Sequence, residues 1–150
     1  MGSKISLAIA CDHAGFELKQ ALKDALAQSG ADITDLGTHN TDSVDYPDYA
    51  NALAEWMKKN PAAHGILICG SGIGISIAAN RHPDIRCAVV HDVTSAKLTR
   101  QHNDANVMAL GARLVGEAVA LDCLKTFLST EFEGGRHARR VAKLSGKVFS

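Results

Sequence analysis

The sequence has no net charge of either sign, no apolar run of membrane length and no paired cysteines, and each absence removes a class of function. Sixteen Lys and Arg are matched by sixteen Asp and Glu among 150 residues. The basic excess or stripe of a nucleic-acid or membrane-surface protein is therefore missing. Aromatic residues make up only 5% of the chain, which leaves no stacking platform for single-stranded nucleic acid. No apolar stretch is long enough to span a bilayer, and no charged region followed by an apolar one precedes Lys4 to Ala10. A cytoplasmic protein is expected. Cys11, Cys69, Cys87 and Cys123 are scattered without a Cys-x-x-Cys pair, so neither a zinc site nor a disulfide framework is suggested, and most read as core thiols. Met1-Gly2-Ser3-Lys4-Ile5-Ser6 formally fits an acylation pattern. A strand beginning at Ile5 would leave an acylated Gly2 little linker, so no acyl chain is expected.

What is present suits one globular domain over residues 1–150, close to half of it apolar. Strand-like runs recur at Ile5 to Cys11, Asp32 to Leu36, Gly65 to Cys69, Ile85 to His91 and Asn106 to Leu110, with helical patterns between them. Leu18, Leu22, Ala25 and Leu26 share one helical face. Ala50, Leu53, Ala54 and Met57 share another, after a start near Pro47. Ser95 to Gln101 is a short candidate helix, Glu117 to Leu128 carries Leu121, Leu124 and Leu128, and His137 to Leu144 carries Val141 and Leu144. This alternation predicts a three-layer α/β/α sandwich around a five-stranded parallel sheet, Rossmann-like in its winding. The segment from Gly37 to Asp48 is the longest irregular piece.

The most informative segment is Ile66-Leu67-Ile68-Cys69-Gly70-Ser71-Gly72-Ile73-Gly74-Ile75-Ser76. An apolar run ends at a cysteine and enters three glycines spaced two apart, ahead of a helix start. Such a turn lets backbone N–H groups approach an anionic oxygen, and the helix terminus adds partial positive charge that favours a thiolate. A tight turn beside an inert buried cysteine explains the segment equally well by itself. Binding an oxyanion calls for glycine at all three positions more directly than a turn does. In parallel sheets ligands bind beyond the carboxyl ends of the strands. Asp12-His13 follows the first strand, Cys69 to Gly74 the third and His91-Asp92 the fourth, so this chemistry falls on one rim. That shared placement favours a functional site.

Other groups carry two readings each. Asp12 can cap a helix, or with His13 it can bind sugar hydroxyls, move a proton or meet a phosphate. Arg100-Gln101-His102-Asn103-Asp104 reads as a polar turn, yet His102 could supply the acid that such a site needs. Arg136, Arg140, Lys143 and Lys147 lie on one face of an acid-free tail, with His137, Val141, Leu144 and Val148 on another. A solvated cationic face is one reading, and a paired-arginine grip on phosphate the other. Asp92 follows Gly70 at about the distance of the ribose-binding acid in a dinucleotide fold. That fingerprint needs glycine where Ile75 stands, and no Gly-Lys-Ser/Thr closes a P-loop.

Taken in order, Cys11-Asp12-His13-Ala14-Gly15-Phe16, Asp45-Tyr46-Pro47, Ile68 through Asn80, Arg100 through Asp104 and Glu133-Gly134-Gly135-Arg136-His137 resemble the type B ribose-5-phosphate isomerase family, which includes galactose- and allose-6-phosphate isomerases. The resemblance covers nearly the whole chain. It implies an aldose–ketose isomerase that uses neither metal nor organic cofactor and acts on a small sugar phosphate. By position it implies Cys69 as the base, Ser71 as the relay between the two oxygens, and the amides from Gly70 through Gly72 and Ile73 to Gly74 as the enediolate cradle. His102 with Asp12 would open the furanose ring. Tyr46 and Asn103 would line the sugar, while His13, Arg113, Arg136 and Arg140 would take the phosphate or nearby hydroxyls. The family splits on its base, and Cys69 together with Ile75, where other members carry glutamate, implies the cysteine branch. Ser71 stands where relatives often have threonine. The resemblance further implies a homodimer whose pocket is shared between subunits, reached by the C-terminal helix, with pairing into tetramers left open. A six-carbon substrate and a phosphosugar-binding protein without turnover are the alternatives.

Overall fold

Alternating side chains along three central strands build two cores on opposite faces of one sheet. The computed structural model describes residues 4–144. Met1 to Ser3, with the acylation pattern, and the tail positions Lys147 and Val148 lie outside the described residues. The strands are β1 (Ser6–Cys11), β2 (Asp32–Asp35), β3 (His64–Cys69), β4 (Cys87–Val89) and β5 (Val107–Gly111). They pair in the order β2-β1-β3-β5-β4, every pair parallel. The helices are α1 (Phe16–Ala27), α2 (Tyr46–Lys59), α3 (Ile73–Asn80), α4 (Val93–Gln101), α5 (Glu117–Ser129) and α6 (Arg136–Leu144).

Leu7, Ile9, Cys11, Ile66, Ile68, Met108 and Leu110 face one way, packing with Leu22 and Leu26 of α1, Ala96 of α4 and Leu124 and Phe127 of α5. Ala8, Ala10, Leu67, Cys69, Val107 and Ala109 face the other way, against α2 and α3. Strands covered on both faces have no polar side to show, hence their continuous apolar runs. The face expected for α2 is buried at all four positions, Ala50, Leu53, Ala54 and Met57. The face of α5 is turned from the expected one. Ala120, Cys123, Leu124 and Phe127 are buried there, while Leu121 and Leu128 are only partly so. In α6 only His137 is buried. Leu144, expected on its apolar face, is 61% exposed.

The apolar face of α1 contains one residue that hydropathy patterning misreads. Lys19 is fully buried; its Nζ donates to Asp35 Oδ1 at 2.7 Å and to the Thr38 carbonyl. Lys23 Nζ donates to the other oxygen of Asp35 at 2.7 Å. These bonds staple α1 to the end of β2 and to the loop that follows, which also pairs with β1 through Cys11 N to Gly37 O and Thr38 N to Cys11 O. Burial pushes the Asp35 carboxyl up, but hydrogen bonds from Lys19, Lys23 and the Gly37 amide outweigh it and lower it from 3.8 to about 2. A carboxyl lowered by folding contributes stability above its unfolded value and loses it as pH falls through the folded one. Here that window runs from about pH 4 to about pH 2. Asp35→Asn leaves the Lys19 charge buried without its partner, and a loss of about 3–5 kcal/mol is expected in denaturant unfolding at neutral pH. The acid-side fall in stability should be shallower in the variant than in the parent; equal slopes would remove Asp35 from this role.

Candidate active site

Chain order reverses between β1 and β3, since β1 leads outward to β2 and the chain then returns to lay β3 on the other side of β1. Residues just past the carboxyl ends of these two strands therefore meet at the crevice where such folds bind ligands. A cleft of about 480 Å³ opens there, lined by Asp12, Tyr46, Cys69, Gly70, Ser71, Ile73, Gly74, Arg113 and Leu114.

Asp12 is a helix cap and also a wall of the cleft. Its Oδ1 accepts from the Ala14 and Gly15 amides at 3.0 and 3.3 Å, capping a single 3₁₀ turn over His13–Gly15, while the side chain lines the cleft. Its amide donates to the Ile68 carbonyl at 3.1 Å, tying the ends of β1 and β3 together. Cys69 ends β3, opposite Gly111 in the register. Its Sγ accepts from the Gly72 amide at 3.2 Å. Ser71 Oγ accepts from the Ile73 amide at 3.1 Å. The carbonyls of Cys69 and Gly70 are held by the Ala112 and Arg113 amides at 2.9 and 3.0 Å. Chain departing from β5 thus braces the turn after β3.

The three glycines have packing causes that the sequence reading did not credit, so spacing alone was a weaker sign of an oxyanion cradle than expected. Gly72 has φ +78°, and a Cβ there would lie 2.9 Å from the Leu110 carbonyl carbon. At Gly74 a Cβ would strike the Tyr46 ring at 2.6 Å, and at Gly70 one would come within 3.3 Å of Arg113 Nη1. The same contacts bring Tyr46 and Arg113 over the cysteine loop. Ile75 is fully buried between the sheet and α2 and presents no polar atom.

Of the other cysteines, Cys11 is pushed up to about 11 by burial, opposed by Lys19. Burial drives Cys87 up to about 12 and raises Cys123 as well. These three are neutral thiols, and Cys69 is the one that reaches this cleft. His13 does not line it. Its Nδ1 accepts from the Val44 amide at 3.1 Å, securing the loop ahead of α2 and leaving Nε2 as the N–H of the neutral ring. His91 and Asp92 are structural: His91 Nε2 accepts from the Gly111 amide at 3.1 Å, and Asp92 caps α4 by accepting from the Ser95 amide at 2.6 Å. The dinucleotide reading loses its acid. Arg100 is likewise buried and occupied by Thr130 O, Asp104 and Ala105 O.

Within one protomer His102, Asn103, Arg136 and Arg140, which the resemblance assigns to a pocket shared between subunits, lie away from this cleft. His102 follows α4 and precedes β5, so it lies beyond the amino end of the strand whose carboxyl end meets Cys69. The five residues of β5 alone run for about 13 Å. Asn103 instead borders a separate 330 Å³ cavity with Arg86, Cys87, Thr99 and Leu144, and Arg136 and Arg140 project from α6 on the same side as His102. Sequence reasoning also passed over Leu114 in the cleft and Glu133 beside His102. Leu114 follows a strand, the one signal that could have marked it.

The family model for ribose/galactose isomerases matches residues 7–144. This chain belongs to the ribose/galactose isomerase family. A ribose-5-phosphate isomerase B of Clostridium thermocellum has 48% identical sequence and superposes with a TM-score of 0.92 over 94% of this chain and 95% of its own. The Escherichia coli ribose-5-phosphate isomerase B is 43% identical over 139 residues, 93% of each chain. A Mycoplasma genitalium relative, solved with ribulose 5-phosphate bound, is 38% identical with a TM-score of 0.92 over 96% of each chain. The all-parallel α/β/α sandwich is thus the fold of the family. No helix among the described residues is long and apolar enough to cross a membrane.

Proposed function

We propose that this protein interconverts D-ribose 5-phosphate and D-ribulose 5-phosphate in the cytoplasm, with Cys69 as the base. The observation that carries the proposal is a cysteine thiol, a hydroxyl and a turn of backbone amides gathered on one cleft, in a chain similar to an isomerase solved with ribulose 5-phosphate. Removing the proton next to a carbonyl leaves negative charge on oxygen. Preorganised donors aimed at such charge are commonly worth about 2.7–4 kcal/mol each. Cys69 takes the proton from C2 and returns it at C1, Ser71 relays the hydroxyl proton between the two oxygens, and amides from Gly70 to Gly74 hold the enediolate. The reaction then needs only protein groups. Arg113 beside Gly70 supplies donors for phosphate or adjacent hydroxyls, and Tyr46 closes over the sugar.

Ring opening falls to His102 acting with Asp12, and that pairing requires a second copy of the chain. One protomer holds the two on opposite rims of its sheet, whereas a homodimer can set the amino-rim group of one, with Asn103, Arg136 and Arg140, against the carboxyl-rim cleft of the other. Exposed apolar side chains support such pairing: Ile73 and Ile77 of α3, beside the cleft, are 52% and 57% exposed, and Leu144 projects from α6. The amide and hydroxyl donors would serve a six-carbon sugar phosphate equally well. Incubation with ribose 5-phosphate, allose 6-phosphate and galactose 6-phosphate, each followed by ketose formation, is expected to give the highest kcat/KM for the pentose. A higher value for a hexose phosphate would reassign the substrate, and binding of all three without ketose would leave a phosphosugar-binding protein.

A further inference from the structure

The junction of α4 and α6 holds three donors whose spacing suits an ion better than it suits one another. His102 Nε2 and His137 Nε2 lie 3.7 and 3.6 Å from the same oxygen, Glu133 Oε1, and all three ligand atoms fall within 4.8 Å of one another. Those separations are too long for hydrogen bonds. Donors on a tetrahedral zinc ion with bonds of about 2.0–2.1 Å sit about 3.3–3.4 Å apart, so each imidazole needs to approach the carboxylate by only a few tenths of an ångström, while the two imidazole nitrogens, within 4.8 Å of each other, close up through a ring rotation. The segment is held in place independently of any ion: the Glu133 amide donates to the Gln101 carbonyl at 3.1 Å, and Arg100 Nε donates to the Thr130 carbonyl at 3.1 Å.

We infer that His102, Glu133 and His137 form a binding site for a divalent transition ion of the zinc class, and that filling it stops catalysis. Two imidazoles and one carboxylate select borderline ions over calcium or magnesium, which prefer oxygen alone. The imidazoles are stacked, 4.4 Å between centroids and 15° between planes, so their lone pairs run nearly parallel. One ring must turn about its Cβ–Cγ bond to converge on an ion, and His102, with 38% of its side chain exposed, has the room that buried His137 lacks. The inhibitory half rests on the function proposed above, because an imidazole nitrogen bound to metal cannot pass a proton to or from the sugar ring.

Cobalt(II) is the probe, since its visible absorption reports ordered nitrogen and oxygen ligation without reference to turnover. Titration of the full chain is expected to develop one absorbing ion per chain, displaced by zinc. Glu133→Gln and His137→Gln should each weaken binding at least about tenfold, the loss that even an outer-shell partner causes. Absorption that fails to appear, survives both substitutions, or disappears in Cys69→Ala would overturn the site. In turnover assays zinc should inhibit the parent protein, EDTA should restore it, and His137→Gln should keep most of its own metal-free rate at the same zinc concentration. Equal inhibition of parent and variant would overturn the inhibitory role. A chain that isomerises no pentose phosphate would sink the proposed function and still leave the cobalt titration to decide the site.

Discussion

Cys69→Ala is expected to lower kcat for ribose 5-phosphate by about 10²–10⁴-fold, the usual contribution of a positioned base, while ribulose 5-phosphate still binds. The argument starts from where the sulfur stands. Cys69 closes a fully paired strand, its carbonyl is held from Ala112, and its Sγ receives the Gly72 amide, so the atom meant to take the proton is fixed in place. Truncation removes that atom and leaves the turn, because the φ of Gly72 and the bracing from Ala112 and Arg113 do not depend on it. Steady-state kinetics beside calorimetric titration with the ketose separates the two quantities. Turnover within a few-fold of the parent would take Cys69 out of the mechanism. Cys69→Ser should behave alike, since a hydroxyl of similar shape is a far weaker base at neutrality.

The second large effect is a recovery. Cys69→Ala and His102→Ala, each nearly inactive alone, are expected to regain up to about a quarter of parental activity when their subunits exchange freely. In an isologous pair, a mixed dimer whose sites draw Cys69 from one chain and His102 from the other carries one intact site and one doubly damaged site. Were both residues to serve a site within one chain, every site in every mixture would stay damaged and activity would not rise. The physical ground is the sheet itself: Cys69 is level with Gly111 at one end of β5, and His102 precedes the other end. Activity measured across mixing ratios, after dissociation and reassociation, checks the expectation.

Much of this was legible in the sequence, for reasons that differ by residue. The strands announce themselves because a sheet covered on both faces admits only apolar residues, and α2 shows its buried side because Ala50, Leu53, Ala54 and Met57 repeat at the helical period. The strand order, with β5 inserted between β3 and β4, is a long-range pairing that no local pattern encodes. Lys19 was illegible because a lysine between apolar neighbours normally reaches water, and its partners Asp35 and Thr38 come from other elements. The separation of His102 from Cys69 within one chain was open to the sequence as well. In a strand–helix alternation, whatever follows a helix and precedes a strand belongs to the amino rim, and that rule separates His102 and Asn103 from Cys69 without coordinates.

The close approach of backbone to backbone around the cysteine constrains how this pocket could be given a new preference. At Gly72 any side chain would collide with the Leu110 main chain, and at Gly111 it would come within 2.6 Å of the Ser71 carbonyl group, so each strand-end turn wedges the other. Room to evolve therefore lies in the movable walls: Tyr46, Arg113 and the outward-facing Leu114 can be exchanged or repositioned, while the floor beneath the sulfur is inherited as one rigid piece.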